Sequence, residues 1–468
     1  MKKPDIKEAR KRTNNEILID NYMLPKEFHE LGLNRKYYIR TYGCQMNVHD
    51  SENIKAILES MSFVEVSKMT DADLIIINTC AIRENVHDKV YGFLGRIKHL
   101  KKNKPHVIAA ICGCMAQEEA VVDTIMSKYQ WIDLVFGTHN IHRIPNLLER
   151  VMTNREQEIE VFSIEGDIIE NLPAKRDSKY KAWVNIMFGC DKFCTYCIVP
   201  YTRGKQRSRK PEFIVDEVNF LIGKGYQEVT LLGQNVNAYG KDLDIDYTMG
   251  NLLEDVAKTG ISRVRFMTSH PWDFDKEMIE TIKKYDNIMP AIHLPLQSGS
   301  NNILKRMGRR YTKEKYLELV TSLRKEIPMM SLTTDIIVGF PGETEKDFQE
   351  TLEVVELCKY DSAFTFIFSP REGTPAAEMK DDISHEEKER RLYHLNDIVN
   401  KHANDNNQKY RDTVVQVLIE GKGEKGSLMG YTETMKLVNV EGDESNIGQV
   451  VPVMITEVKT WSMNGKIL

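Results

Sequence analysis

The stretch Phe188-Gly189-Cys190-Asp191-Lys192-Phe193-Cys194-Thr195-Tyr196-Cys197 decides the reading of this chain. It carries three cysteines, spaced by three intervening residues and then by two. Three soft thiolates this close can each take one iron of a cubic [4Fe–4S] cluster, which leaves the fourth iron without a local cysteine. An iron with an open position can bind a reactant, so the spacing points to chemistry and not only to folding. A structural zinc site closes with four ligands, yet the next histidine downstream is His270 and the next cysteine Cys358. A disulfide set would leave one thiol over and would need an oxidising compartment. Unrelated buried cysteines are the bland alternative, and the flanking Gly189, Phe193 and Tyr196 weigh against them.

Five further cysteines lie at positions 44, 80, 112, 114 and 358. Four of them fall where short apolar runs alternate with helical patterns. Lys36–Tyr42, Asp73–Asn78, Val107–Ile111 and Ile132–Phe136 read as strands, with helices through 51–60, 83–100 and 117–129. That alternation argues βαβ units and an N-terminal doubly wound parallel sheet. Cys44, Cys80 and Cys114 then follow the first three strands, at the carboxyl edge where ligands bind in such sheets. Gly43 and Gly113 let the backbone turn just before two of them. Each alone would be an ordinary small buried residue. Three at equivalent strand ends favour a metal site. Cys112 alternates with Cys114 and reads as core, as does Cys358.

After a polar connector around 156–181, six strands are expected at Trp183–Phe188, Glu228–Leu232, Arg263–Thr268, Ala291–Leu296, Leu332–Val338 and Ala363–Phe368. Helical stretches separate them, as in an open (βα)6 barrel, six-eighths of a TIM barrel. Polar residues cluster past the strand ends: Gln234, Asn235, Ser269, His270, Gln297, Ser298 and Ser369. Asp335 lies within a strand and is placed to face the interior. Gly339-Phe340-Pro341-Gly342-Glu343 is a tight turn into a helix, weak as a phosphate loop. Val414–Ile419, Lys436–Val440, Gln449–Ile455 and Trp461–Ile467, punctuated by glycines, suggest a small antiparallel β-barrel of the size used for nucleic acids.

The chain has 468 residues, 41% of them hydrophobic, and a net charge of −5, so bulk charge gives no argument for nucleic acid. From Asp405 onward acids outnumber bases, 9 to 7. Local basicity does exist. Arg203, Lys205, Arg207, Arg209 and Lys210 follow the cysteine loop with no acid among them, and are expected to hold RNA phosphates. Lys98, Lys101, Lys102 and Lys104 form a second group, read as a solvated face. Lys305, Arg306, Arg309 and Arg310 form a third. No run approaches the length of a membrane span. The polar N-terminus lacks an apolar signal core and is expected to be a mobile tail over 1–34. Free thiols imply a reducing cytoplasm. The expected domains are 35–155, 180–404 and 405–468.

The cysteine run resembles the signature of radical S-adenosylmethionine enzymes. Thr41-Tyr42-Gly43-Cys44-Gln45-Met46-Asn47, Asn78-Thr79-Cys80, Gly113-Cys114-Met115-Ala116-Gln117, Tyr201-Thr202-Arg203-Gly204, Leu296-Gln297-Ser298-Gly299-Ser300 and Val338–Thr344 extend the likeness to the methylthiotransferases of that class, over about 36–468. The last module resembles a TRAM domain. The resemblance implies two [4Fe–4S] clusters and S-adenosylmethionine as methyl donor and radical source. Cys190, Cys194 and Cys197 would hold the catalytic cluster, with Tyr196 near the cofactor's adenine; Ser269 and Gln297 at the strand ends and Asp335 within its strand are further cofactor-binding candidates from their place in the barrel. Cys44, Cys80 and Cys114 would hold an auxiliary cluster that carries sulfur. The implied substrate is a tRNA bearing N6-isopentenyladenosine beside the anticodon, methylthiolated at C2. A ribosomal protein, threonylcarbamoyl adenosine, or no catalysis at all are the alternatives. The C2 hydrogen is not acidic, so a cofactor radical and not a side-chain base must remove it. The base must leave its stack to be reached. An electron donor such as flavodoxin or ferredoxin, a sulfur donor, no membrane and a monomer are expected.

Overall fold

The computed structural model describes residues 2–10, 19–81, 84–164, 168–423 and 426–468. Its contacts divide into two units. One comprises Met1–Asp177, Met187–Phe193 and Cys197–Arg209, and the other Ser178–Ile186, Cys194–Tyr196 and Lys210–Leu468.

In the first unit six parallel strands form one sheet. Their order across it is Val64–Glu65, Lys36–Thr41, Leu74–Thr79, Ile108–Gly113, Leu134–Phe136 and Glu158–Glu160. The strand Leu74–Thr79 is buried throughout because helices cover both faces. Ile75, Ile77, Ala109 and Ile111 pack on Phe93, Leu94, Ile97, Val122 and Ile125 of one helical layer. Their neighbours Leu74, Ile76, Ala110 and Cys112 pack on Ile54, Leu58, Leu147 and Leu148 of the other. Each fully buried Ile or Leu contributes roughly 1.5–3 kcal/mol. The doubly wound sheet inferred from the apolar runs is thus present, and Cys112 belongs to its core.

The expected mobile tail is corrected by this unit. Ile19–Asn21 pairs in parallel with Ile168–Glu170, Lys2 bridges to Glu160, and Phe28 is buried in the core beside Tyr37 and Ile54. Apolar residues hidden among charges, Phe28 with Tyr22, Leu24 and Leu31, anchor the segment. The stretch 11–18 lies outside the described residues. The polar connector likewise contains two short strands, Glu158–Glu160 and Ile168–Glu170.

In the second unit two three-stranded parallel sheets, Lys181–Asn185/Glu228–Leu232/Arg263–Phe266 and Ala291–His293/Ser331–Val338/Ser362–Ile367, follow one another. A bridge at Val264 and Ile288 joins them, with Val264 N donating to Asn287 O at 2.7 Å. The result is an open run of six. Helices begin where Thr248, Asp275, Thr312, Thr344 and Ser384 accept backbone hydrogen bonds as N-caps. The expected first strand is shorter than Trp183–Phe188: Met187–Phe188 leaves to pair antiparallel with Arg207–Ser208.

Five C-terminal strands close into a barrel in the order Val414–Lys422, Leu428–Thr432, Leu437–Glu441, Met463–Ile467, Val450–Val458. Leu428–Thr432 is absent from the strands read in the sequence. Its run LMGYT is short and centred on Gly430, where an added Cβ would lie 2.1 Å from Leu418 O. Close backbone approach, not side-chain pattern, makes it a strand. Arg263 ties the barrel to the six-strand core, donating to Tyr431 O at 2.8 Å and to Gln416 O at 2.9 Å. No described helix is long and apolar enough to cross a membrane.

Candidate iron–sulfur and cofactor sites

At the carboxyl edge of the first unit's sheet three loops meet. Gly43 has φ +135° and Gly113 φ +91°, both in the region that only glycine enters freely. A Cβ on Gly43 would lie 2.7 Å from Cys80 Cβ, and one on Gly113 would lie 2.3 Å from Thr79 O. The loops carrying Cys44, Cys80 and Cys114 therefore touch backbone to side chain, and their glycines are what lets them close. Asn47 fastens them: its Nδ2 donates to Thr79 O at 3.0 Å and to Asn78 Oδ1 at 3.2 Å, while Cys44 Sγ lies 3.4 Å from its Oδ1. Asn78 Nδ2 returns a hydrogen bond to Asn47 O at 2.8 Å.

Arg203 enters the same site. Its Nε is 3.3 Å from Cys114 Sγ and its Nη2 is 2.5 Å from Asp50 Oδ2. Burial pushes the Cys114 thiol up and the Arg203 guanidinium pulls it back, so the site favours a thiolate more than its burial alone would allow. Burial works against the charge of Arg203, and Asp50, Cys114 and Cys44 around it hold that charge in place. A cluster of thiols at a sheet edge, with one fixed cation, is a donor set that fits an iron–sulfur cluster. Among the described residues no three His, Cys, Asp or Glu side chains converge as ligands of a single ion would. Cubane thiolates each take a different iron and need not converge on one.

The basic run is corrected here. Arg203, Arg207 and Arg209 are 5%, 5% and 8% exposed. Besides the contacts of Arg203, Arg207 Nη2 donates to Arg203 O at 3.3 Å while its guanidinium carbon lies 5.7 Å from the Phe188 ring centroid, and Arg209 grips Glu170. A long polar run reads as surface in sequence, but arginines recruited by buried acids do not face phosphates. Lys205 stays half-buried. Asp50 and Glu170 were not singled out in the sequence. Nothing in a lone polar residue announces a buried partner 39 to 153 positions away.

The Cys190 loop shows its own local order. Cys190 N donates to Gly204 O at 3.1 Å, and Gly189, with φ +70°, leaves no room for a Cβ against Lys205 O, 1.9 Å away. In the second unit Thr195 N donates to Met307 O and Ala376 N to Thr195 O, each at 2.9 Å. The Tyr196 ring stands edge-on to Phe340 at 6.4 Å. Arg309 Nη1 is 3.6 Å from Cys194 Sγ.

The barrel's strand ends hold buried polar atoms without a hydrogen-bond partner: Ser269 Oγ, Gln234 Oε1 and Asn235 Oδ1. Such orphans are costly unless a ligand satisfies them, so this rim fits a polar cofactor such as S-adenosylmethionine. Gln297 is buried and held at φ +68°, with its N donating to Asp335 O at 2.8 Å and its O accepting from Ile337 N at 2.9 Å. Asp335 Oδ2 is 3.4 Å from His293 Nε2. The Gly339–Glu343 turn is structural: Glu343 Oε2 accepts from Gly339 N at 2.7 Å and from Arg391 Nη1 at 2.8 Å.

Residues 184–355 match the Radical SAM superfamily, 36–137 the Uncharacterized protein family UPF0004, and 408–468 the TRAM domain. The tRNA-2-methylthio-N(6)-dimethylallyladenosine synthase of Oceanobacillus iheyensis is 55% identical over 466 residues, covering 99% of this chain and 90% of that protein. The chain belongs to the tRNA-2-methylthio-N(6)-dimethylallyladenosine synthase family. Another member, from Halalkalibacterium halodurans, is 53% identical over 99% of this chain and 87% of its own. Among solved structures, the radical S-adenosylmethionine methyltransferase TsrM from Kitasatospora setae superposes with a TM-score of 0.52 at 13% identity, over 73% of this chain and 75% of that one. That likeness is one of fold alone. As a member of the synthase family the chain is a radical SAM enzyme with a C-terminal TRAM domain.

Proposed function

We infer that the chain transfers a methylthio group to C2 of N6-isopentenyladenosine in tRNA. The observation that carries this reading is the second set of cysteines. A radical enzyme that only cleaved its cofactor would need the Cys190 loop and no more. This chain adds Cys44, Cys80 and Cys114 at three converging strand ends, a place for sulfur as well as for radical initiation.

Cys190, Cys194 and Cys197 would hold one [4Fe–4S] cluster, and Cys44, Cys80 and Cys114 the other. When bound, the two clusters and S-adenosylmethionine supply radical initiation, sulfur and methyl transfer. The chain's own residues prepare the ground. Asn47 and Asn78 fix the strand-end loops, and Arg203 donates to Cys114 Sγ. Ser269, Gln234 and Asn235 offer unsatisfied polar atoms to the cofactor, and Tyr196, braced by Phe340, offers a ring face to its adenine. The auxiliary domain is the first unit's sheet, taken from the Phe28 segment through Ile168–Glu170; the radical core spans 180–404 and the TRAM domain 405–468. The enzyme acts in the cytoplasm as a monomer, with flavodoxin or ferredoxin as electron donor and a separate sulfur donor.

The isopentenyl group is bulky and apolar. Burying its five carbons, at about 0.8 kcal/mol per CH₂-sized unit, biases binding and fixes C2 for attack. Turnover on matched anticodon stem-loops with and without the prenyl group tests the reading. Methylthiolation of the prenylated one alone is expected, and equal rates would overturn it. Mass analysis of tRNA nucleosides from a deletion strain separates a tRNA substrate from a ribosomal one.

A further inference from the structure

Buried arginines in this chain usually meet a carboxylate. Arg203 meets Asp50, Arg209 meets Glu170 and Arg391 meets Glu343. Arg309 does not. It is 7% exposed. Its Nη2 donates to Pro295 O at 3.1 Å and its Nε to the Tyr311 hydroxyl at 3.2 Å, with the guanidinium 5.1 Å from that ring's centroid. Its remaining polar contact is Nη1 to Cys194 Sγ, at 3.6 Å. Among the described residues none of its contacts is a carboxylate.

An uncompensated charge inside a protein is strongly destabilising. A cation persists there only when an anion completes the site. Cys194 is the one proposed cluster ligand among its contacts, and a cubane held by three thiolates would be net negative, more so after reduction. We propose that Arg309 is a positioning residue: the fixed counter-charge of the cluster held through Cys194, which raises that cluster's reduction potential. The inference rests on Cys194 being a cluster ligand.

The physics is specific. Hydrogen bonds to cluster sulfurs and the local net charge are among the main determinants of iron–sulfur potentials. Low dielectric strengthens the interaction. Arginine stays charged when buried, and its rigid fork serves Pro295 O and Cys194 Sγ together, which a lysine cannot do. The comparable donor at Cys114, Arg203, brings Asp50 with it, so its charge is already balanced. The two clusters therefore have similar hydrogen bonds but different fields, and the Cys194 cluster gains the larger help in accepting an electron.

The test uses the full chain with Cys44, Cys80 and Cys114 changed to Ala, so that one cluster remains. Iron near four per chain after anaerobic reconstitution supports the ligand reading, by the count of one cubane. Little iron overturns that reading separately. An EPR-monitored reductive titration, without S-adenosylmethionine, then compares Arg309 with Arg309→Gln, which keeps a donor but drops the charge, and Arg309→Lys, which keeps the charge. The expected result is a reduction equilibrium at least tenfold less favourable in Arg309→Gln, 59 mV for one electron, with Arg309→Lys nearer the parent. Coincident potentials in Arg309→Gln and the parent, or a shift as large in Arg309→Lys, would overturn the proposal. Denaturation of the metal-free proteins provides a second readout. A counter-charge predicts no loss of apo stability in Arg309→Gln, whereas a purely structural arginine predicts equal loss with and without iron. If neither variant takes up iron, the apo comparison decides.

Discussion

Arg209 closes on both oxygens of Glu170, Nε at 2.9 Å from each and Nη2 at 2.6 Å from Oε2. Glu170 is 1% exposed. The pair ties the strand Ile168–Glu170 to the chain after the cysteine loop. Glu170→Gln removes the buried carboxylate's charge from the guanidinium, a change of up to about 3–5 kcal/mol in the direction of unfolding. Urea denaturation of the metal-free protein measures it. A loss under about 1 kcal/mol would mean the pair is solvent-screened.

The same burial separates Lys205 from its neighbours. Neutralising a phosphate-contacting side chain lowers the salt slope of tRNA binding by about one. Lys205→Ala is expected to do so and Arg207→Gln is not. Filter binding across a salt series reads both slopes, and a drop in the arginine variant would return it to the RNA face.

Gly113→Ala puts a methyl where Thr79 O already stands and forces φ +91° on alanine. The strand-end loops can no longer close. The variant should keep its fold and the Cys190-loop cluster yet lose about half of its roughly eight irons, by the count of two cubanes. Iron analysis showing full loading would remove the loop geometry from the argument.

Cys194→Ala should abolish reductive cleavage of S-adenosylmethionine, whereas Cys80→Ala should permit cleavage and stop sulfur insertion. Cys112→Ala and Cys358→Ala should hold both clusters, since Cys112 packs among Ile76, Ala110 and Leu134, and burial pushes the Cys358 thiol up to about 11. Product analysis for 5′-deoxyadenosine and for the methylthio nucleoside distinguishes the four.

Deleting residues after 405 removes Gln416 O and Tyr431 O from Arg263, which is itself buried. tRNA binding should fall, and thermal stability with it. Arg263→Ala in the full chain isolates the second effect. If it leaves the melting temperature unchanged, the barrel is attached by other contacts.

The sequence was most legible where residue type and position were mutually determined. Leu74–Thr79 is a run of apolar residues ending in a polar pair, and the strand, its burial and the place of Cys80 follow from it. Gly43 and Gly113 marked the turns for the reason the backbone shows, a positive φ. What escaped was long-range pairing. Arg203 and Arg209 looked like surface because Asp50 and Glu170 are distant in sequence. Phe28 looked like tail because its apolar partners are too few to make a period. Leu428–Thr432 was hidden by a glycine that disfavours strands except where two backbones press together.

The two sets of cysteines also differ in when they can exist. Cys190, Cys194 and Cys197 are neighbours along one loop, so an emerging chain can present all three before any sheet has formed. Cys44, Cys80 and Cys114 become neighbours only after the three parallel strands have paired, since the Gly43–Cys80 and Gly113–Thr79 approaches are products of that register. On the proposed ligand sets, maturation would have a built-in sequence: one cluster could be handed to a nascent or loosened protein, and the other only to a finished domain.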